Sequence, residues 1–154
     1  MNARAAARAL DALARGWDII VESETGRLAL RPVETGGAPL GHNRRLLISA
    51  ARAITLKLAN QKEAARPDAP VLIAVPGALD SARAIAIADP SLDLAQPMKG
   101  PFAALPLPAP QAAEAAMQLA RLAGLLPAYH LLGDGEDDLG ALAGAHRQPR
   151  ARGD

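Results

Sequence analysis

His42, Arg44 and Arg45 stand together just ahead of a short apolar run, Leu46-Leu47-Ile48. Guanidinium groups at a strand entrance can grip a phosphate through paired hydrogen bonds. Nothing beside them strengthens that role. Gly36-Gly37 and Gly41 make a flexible loop, but a phosphate-binding glycine loop also needs its lysine and hydroxyl, and no GxGxxG pattern occurs. The basic pair therefore reads as solvated charge. The run Asp134-Gly135-Glu136-Asp137-Asp138 is acidic enough to attract calcium, yet it lacks the alternating ligands and terminal glutamate of a calcium loop. It reads as a solvated acidic loop. His42, His130 and His146 have no acidic or histidine partner at metal spacing, so we expect no zinc site. His130 lies in an apolar run and reads as a hydrogen-bonded structural histidine. Ser23, Ser49, Ser81 and Ser91 stand in no nucleophile-elbow context. The closing Arg152-Gly153-Asp154 matches an adhesion tripeptide by chance. We assign no catalytic, cofactor-binding or metal-binding residue.

The composition narrows the field further. The 154 residues contain no cysteine, which excludes disulfides, thiolate metal centres and cysteine nucleophiles. Seventeen basic residues face sixteen acidic ones, so there is no strong field to draw in nucleic acid. Only 2% of residues are aromatic, which leaves little for bases to stack on. The longest apolar run, 69–79, is broken by Pro70, Pro76 and Gly77 and is too short to span a bilayer. Arg4, Arg8, Asp11 and Arg15 fall on one side of an N-terminal helix. They suggest a solvated surface stripe rather than a targeting signal, with a cytoplasmic location as the default.

The elements that must position these groups follow from patterning. Asn2 caps a helix running to about Arg15, stopped by Gly16. Residues 17–22 and 27–33 read as a hairpin around the turn at Ser23–Gly26, with Pro32 near a strand end or on an edge. Leu46–Ile48 is a short strand. Ser49 caps a helix from Ala50 to Leu58, and 61–70 is polar and mobile. Val71–Val75 is the strongest strand, followed by a helix from about Asp80 to Ala88. Five prolines between Asp89 and Pro108 forbid one regular element there. Pro110 opens the longest helix, to about Leu126, which Pro127 stops. Its small-residue face of Ala113, Met117 and Ala120 belongs to the core rather than to an interface. Ala128–Leu132 is a final strand. The alternation of strand and helix predicts one compact α/β domain over 1–132 with some parallel pairing. Residues 133–154, acidic and then basic, read as a disordered tail, most clearly from Ala143 onward.

Three stretches together carry a family resemblance. They are Leu46 to Leu58, LLISAARAITLKL; Asp80 to Leu94, DSARAIAIADPSLDL; and Lys99-Gly100-Pro101-Phe102 with Ala115 to Ala128, AAMQLARLAGLLPA. In this order, from about Ala3 to Leu132, the chain resembles the N-terminal extension of bacterial GTP cyclohydrolase II, an enzyme family of riboflavin biosynthesis. That extension is similar in turn to a reduced 3,4-dihydroxy-2-butanone 4-phosphate synthase domain. The resemblance implies a reduced synthase-like fold and a non-catalytic module that positions or stabilises a cyclohydrolase domain. The partner it implies is that catalytic domain or a second copy of the chain, with no nucleic acid and no membrane. The zinc of the family belongs to cysteines of the catalytic domain, which this chain lacks.

An active synthase carries several carboxylates and an arginine after its first strand to hold magnesium and the sugar phosphate. Here the matching place is Glu22-Ser23-Glu24-Thr25-Gly26-Arg27, where two glutamates remain. An alternative reading is a residual magnesium-dependent lyase using Glu22 and Glu24, with Arg44 or Arg45 on the phosphate. A second alternative is a binding module for an unrelated protein. The Ala, Gly, Arg and Pro content after Leu142 suggests a truncated or frameshifted product whose last twelve residues have no evolved role.

Overall fold

A computed structural model describes residues 2–39, 44–58, 61–64, 66, 68–95, 100–133 and 150–152. Helix α1, Ala3–Ala14, opens on Asn2, whose side-chain oxygen accepts from the Ala5 amide at 2.7 Å. That satisfies one of the amides every helix start leaves orphaned. The hairpin of β1, Ile19–Ser23, and β2, Gly26–Pro32, turns over two residues, with Ser23 facing Gly26. Strand β3 is Arg45–Ile48, and Ser49 caps the six-residue helix α2, Ala50–Thr55, by accepting from the Arg52 amide. A single 3-10 turn, Lys62–Ala64, precedes β4, Val71–Ala74. Asp80 caps α3, Ser81–Ala88. A second 3-10 turn covers Pro90–Leu92, β5 is Ala103–Leu105, α4 is Pro110–Leu122 and β6 is Ala128–Gly133. Strand β7, Arg150–Arg152, lies beside β1.

The strands form one seven-stranded sheet in the order β5-β4-β3-β6-β2-β1-β7. Every pair from β5 to β1 is antiparallel; only β1 and β7 run parallel. The α/β class holds, while the expected parallel pairing is confined to that last strand. A parallel neighbour needs a helix that returns the chain to the end where the previous strand began. After α2 and after α3 come connecting segments that include the 3-10 turns Lys62–Ala64 and Pro90–Leu92. These carry it back to the other end, so the next strand enters reversed.

Other expectations are corrected in detail. Helix α2 ends at Thr55 and not Leu58, and α4 ends at Leu122 and not Leu126. Gly124, at φ +73°, stops α4 before Pro127 is reached. Pro32 stands at a strand end, the first of its two expected places, and on an inner strand. It pairs with Tyr129 on the β6 side, beyond the point where β1 pairs with β2. The proline-rich middle holds the edge strand β5. Residues 150–152 of the expected irregular tail form β7, while 134–149 and 153–154 lie outside the described residues.

Two cores lie on opposite faces of the sheet. On one face α1 and α4 pack Ala9, Ala12, Leu13, Ala113, Ala116 and Met117 onto Val21, Leu30, Leu47 and Tyr129. Alanines let the helices approach the sheet closely, and the Tyr129 hydroxyl donates to the Ala116 carbonyl at 2.5 Å. Ala113, Met117 and Ala120 are buried there as core residues. On the other face α2 and α3 contribute Ala53, Ala84, Ile87 and Ala88, packed against Leu46, Ile48, Ile73 and Phe102. Arg4, Arg8, Asp11 and Arg15 remain exposed on α1.

Candidate functional site

On the α2–α3 face, beyond the helices, a polar row crosses the sheet. Arg31 of β2 is opposite His130 of β6, and His130 is opposite Leu46 of β3. Arg31 donates from Nε and Nη2 to the two carboxylate oxygens of Asp18 at 2.6 and 3.1 Å. Asp18 is buried just before β1, and the paired geometry raises the Arg31 pKa further. His130 is fully buried, and neither ring nitrogen has a hydrogen-bond partner among the described residues. Burial, reinforced by the nearby Arg31 charge, lowers its pKa to about 4. The strand placement of His130 is as expected; the expected hydrogen bonds are not there. At neutral pH the imidazole is neutral and Arg31 beside it is charged and paired with Asp18, so the row reads as structural.

A second polar cluster joins α2 to the segment after α3. Arg52 is buried; its Nε donates to the Ile87 carbonyl at 2.7 Å, and its two terminal nitrogens reach both Asp93 oxygens at 2.8 and 2.7 Å. Next to this pair is an open cavity of about 470 Å³ lined by Leu56, Lys57, Leu58, Gln61, Asp93 and Phe102, together with Thr55, Gly100 and Pro101. Gln61 fixes its wall: the side-chain amide donates to the Phe102 carbonyl at 2.9 Å and accepts from the Ala104 amide at 2.7 Å. In doing so it occupies backbone groups of the edge strand β5, as a neighbouring strand would, and blunts that edge.

The backbone at the cavity is unusual. Helices α1, α2 and α4 all end with the same two hydrogen bonds, from the first residue past the cap to the second-last helical carbonyl and from the next residue to the third-last. In α1 these are Gly16 to Leu13 and Trp17 to Ala12; in α4, Gly124 to Arg121 and Leu125 to Ala120; in α2, Lys57 to Ile54 and Leu58 to Ala53. Each closure needs a left-handed residue. Two are glycines, at φ +76° and +73°, and the third is Lys57 at φ +63°. A side chain in that conformation costs roughly 1 kcal/mol relative to glycine. Among the described residues, no hydrogen bond or ion pair engages the Lys57 ammonium to offset this cost.

The residues of the alternative lyase reading are not assembled. Glu22 shares the face of Ile20, whereas Arg45 shares the opposite face with Leu47, and β2 and β6 lie between their strands. Three strand spacings put them about 14 Å apart across the sheet alone. Glu24 is exposed in the hairpin turn and Arg44 is exposed before β3. His42, the acidic run 134–138 and His146 lie outside the described residues. The patterning missed Arg52, Asp93 and Gln61, because each acts through a partner distant in sequence. Lys57 had a local signal, a lysine two residues beyond a short helix, but the apolar spacing around it extended the helix past that point.

The fold and this cavity define a mixed α/β domain with helices on both faces of a largely antiparallel sheet. No helix among the described residues is long and apolar enough to cross a membrane. The chain matches no family model and no curated protein sequence.

Proposed function

We propose that the chain is a non-catalytic module of a GTP cyclohydrolase II protein of riboflavin biosynthesis, which positions or stabilises the catalytic domain in the cytoplasm. One observation supports this reading above the others. Parts of the three stretches that carry the resemblance meet at one place: Leu46–Leu58 supplies Arg52 and one cavity wall, Asp80–Leu94 supplies Asp93, and Gly100-Pro101-Phe102 closes the opposite wall, while Ala115–Ala128 lies apart in and after α4. In this reading the zinc chemistry belongs to the partner domain, and the sheet is a reduced synthase scaffold that has lost its carboxylate cluster. Co-purification with a separately expressed GTP cyclohydrolase II catalytic domain tests it. The reading expects a stable complex, or a raised unfolding temperature of the catalytic domain on mixing. No association and no thermal shift would overturn it.

A further inference from the structure

We propose that the cavity between α2 and β5 is a binding site for a small organic monocarboxylate, a single carboxylate on a flat apolar body, with Lys57 as its charge-recognising residue. Charge, shape and backbone point the same way. Asp93 is the cavity's carboxylate, and Arg52 grips both of its oxygens, so these two charges cancel. Among the described residues the lining itself carries Lys57 and Asp93; with Arg52 counted behind the wall, Lys57 is the charge left over, complementary to a monoanion. Leu56, Leu58, Pro101 and Phe102 supply apolar walls, and Phe102 adds an aromatic ring. Gln61 adds an amide whose second N–H is not used by the Phe102 contact, while the Thr55 hydroxyl already donates to the Ala51 carbonyl at 3.2 Å. A volume of about 470 Å³ lies within the range of small-molecule sites.

The left-handed backbone is the independent observation. The same helix closure is made by glycine at α1 and at α4, where Arg121 borders a second cavity; at the closure that borders the α2 cavity a lysine holds the strained position. Strain held at a cavity, with no internal partner to repay it among the described residues, is characteristic of a residue kept for its ligand. Lysine is suited to this as a compact charge on a flexible stem.

The experiment is an amide NMR titration of the full chain with benzoate, phenyl phosphate and benzyl alcohol as probes. It does not involve the cyclohydrolase domain, so its outcome is separable from the reading above. The proposal expects saturable benzoate shifts concentrated at Leu56–Leu58, Gln61 and Phe102–Ala104. It expects at least a tenfold weaker benzoate affinity in both Lys57→Gly and Lys57→Asn, two residues that accept the left-handed backbone, with benzyl alcohol affinity unchanged. Unsaturable or dispersed shifts would overturn it, as would equal benzoate affinity in the variants. Tighter binding of phenyl phosphate than of benzoate would overturn the monocarboxylate class.

Discussion

The two faces of the sheet are built in contrasting ways. The α1–α4 face is packed from alanine, leucine and methionine; the buried Tyr129 hydroxyl is bonded to a helix carbonyl, while the buried Gln111 Oε1 of α4 has no partner among the described residues. Its two helices close on glycines. The opposite face carries two arginine–carboxylate pairs, an unpartnered buried histidine, an open cavity and a helix that closes on a lysine. Close packing of small side chains fills the space between helices and sheet on the first face, although α4 borders a second cavity of about 430 Å³ beside α2; a face held by ion pairs and short helices can also keep a cavity open. The first face supplies stability, and the second spends some of it on polar groups.

The largest expected effect is on the second face. Arg52→Ala removes three hydrogen bonds and leaves the Ile87 carbonyl and Asp93 without their donor, so it should destabilise by about 3 kcal/mol in chemical denaturation. Asp93→Asn should cost less, because Asp93 is a third exposed while Arg52 is buried. An equal loss in the two variants would contradict the assignment of the burial cost to Arg52.

A pH effect of similar size is expected from His130. The unfolded histidine titrates near 6.5, and the folded one at about 4. Between these values the unfolded chain binds more protons, so the His130 contribution is fully present above pH 6.5 and is lost as pH falls towards 4. The total is on the order of 3 kcal/mol. His130→Leu should flatten this slope; a variant that keeps the full slope would place its origin elsewhere.

On the packed face the effect should be smaller. Tyr129→Phe loses one buried hydrogen bond and leaves the Ala116 carbonyl unpaired, a cost of about 1–2 kcal/mol without pH dependence below pH 9. A loss that varied between pH 5 and 8 would break the contrast between the faces.

The packed face was also the more legible in sequence. Its caps, Asn2 and Gly16, and its small-residue helix face Ala113, Met117 and Ala120 are local signals: a side chain next to the amide it caps, or a periodicity within one helix. Val71–Ala74 and the β1–β2 hairpin were legible for the same reason. The second face depends on contacts across the chain. Arg52 meets Asp93 forty-one residues away, and Gln61 meets Phe102 and Ala104 at similar separations. No periodicity encodes such pairs. Strand direction escaped as well, because alternating helices and strands do not specify how far the connecting chain travels. The end of α2 was misplaced because a lysine gives no sign that its φ is positive.

Lys57 is where the contrast between the faces is smallest in energy and sharpest in sign. Lys57→Gly relieves the left-handed strain and should stabilise by about 1 kcal/mol. For a domain of this size that raises the midpoint of thermal unfolding by about 2–4 °C. The matching substitution at the packed face, Gly16→Ala, should lower it, since a Cβ there would stand 2.3 Å from the Thr35 carbonyl oxygen. The most direct measurement is the thermal midpoint of Lys57→Gly beside that of the wild type. A higher midpoint is the predicted result, with stability given up at the cavity; an unchanged or lower midpoint would contradict it.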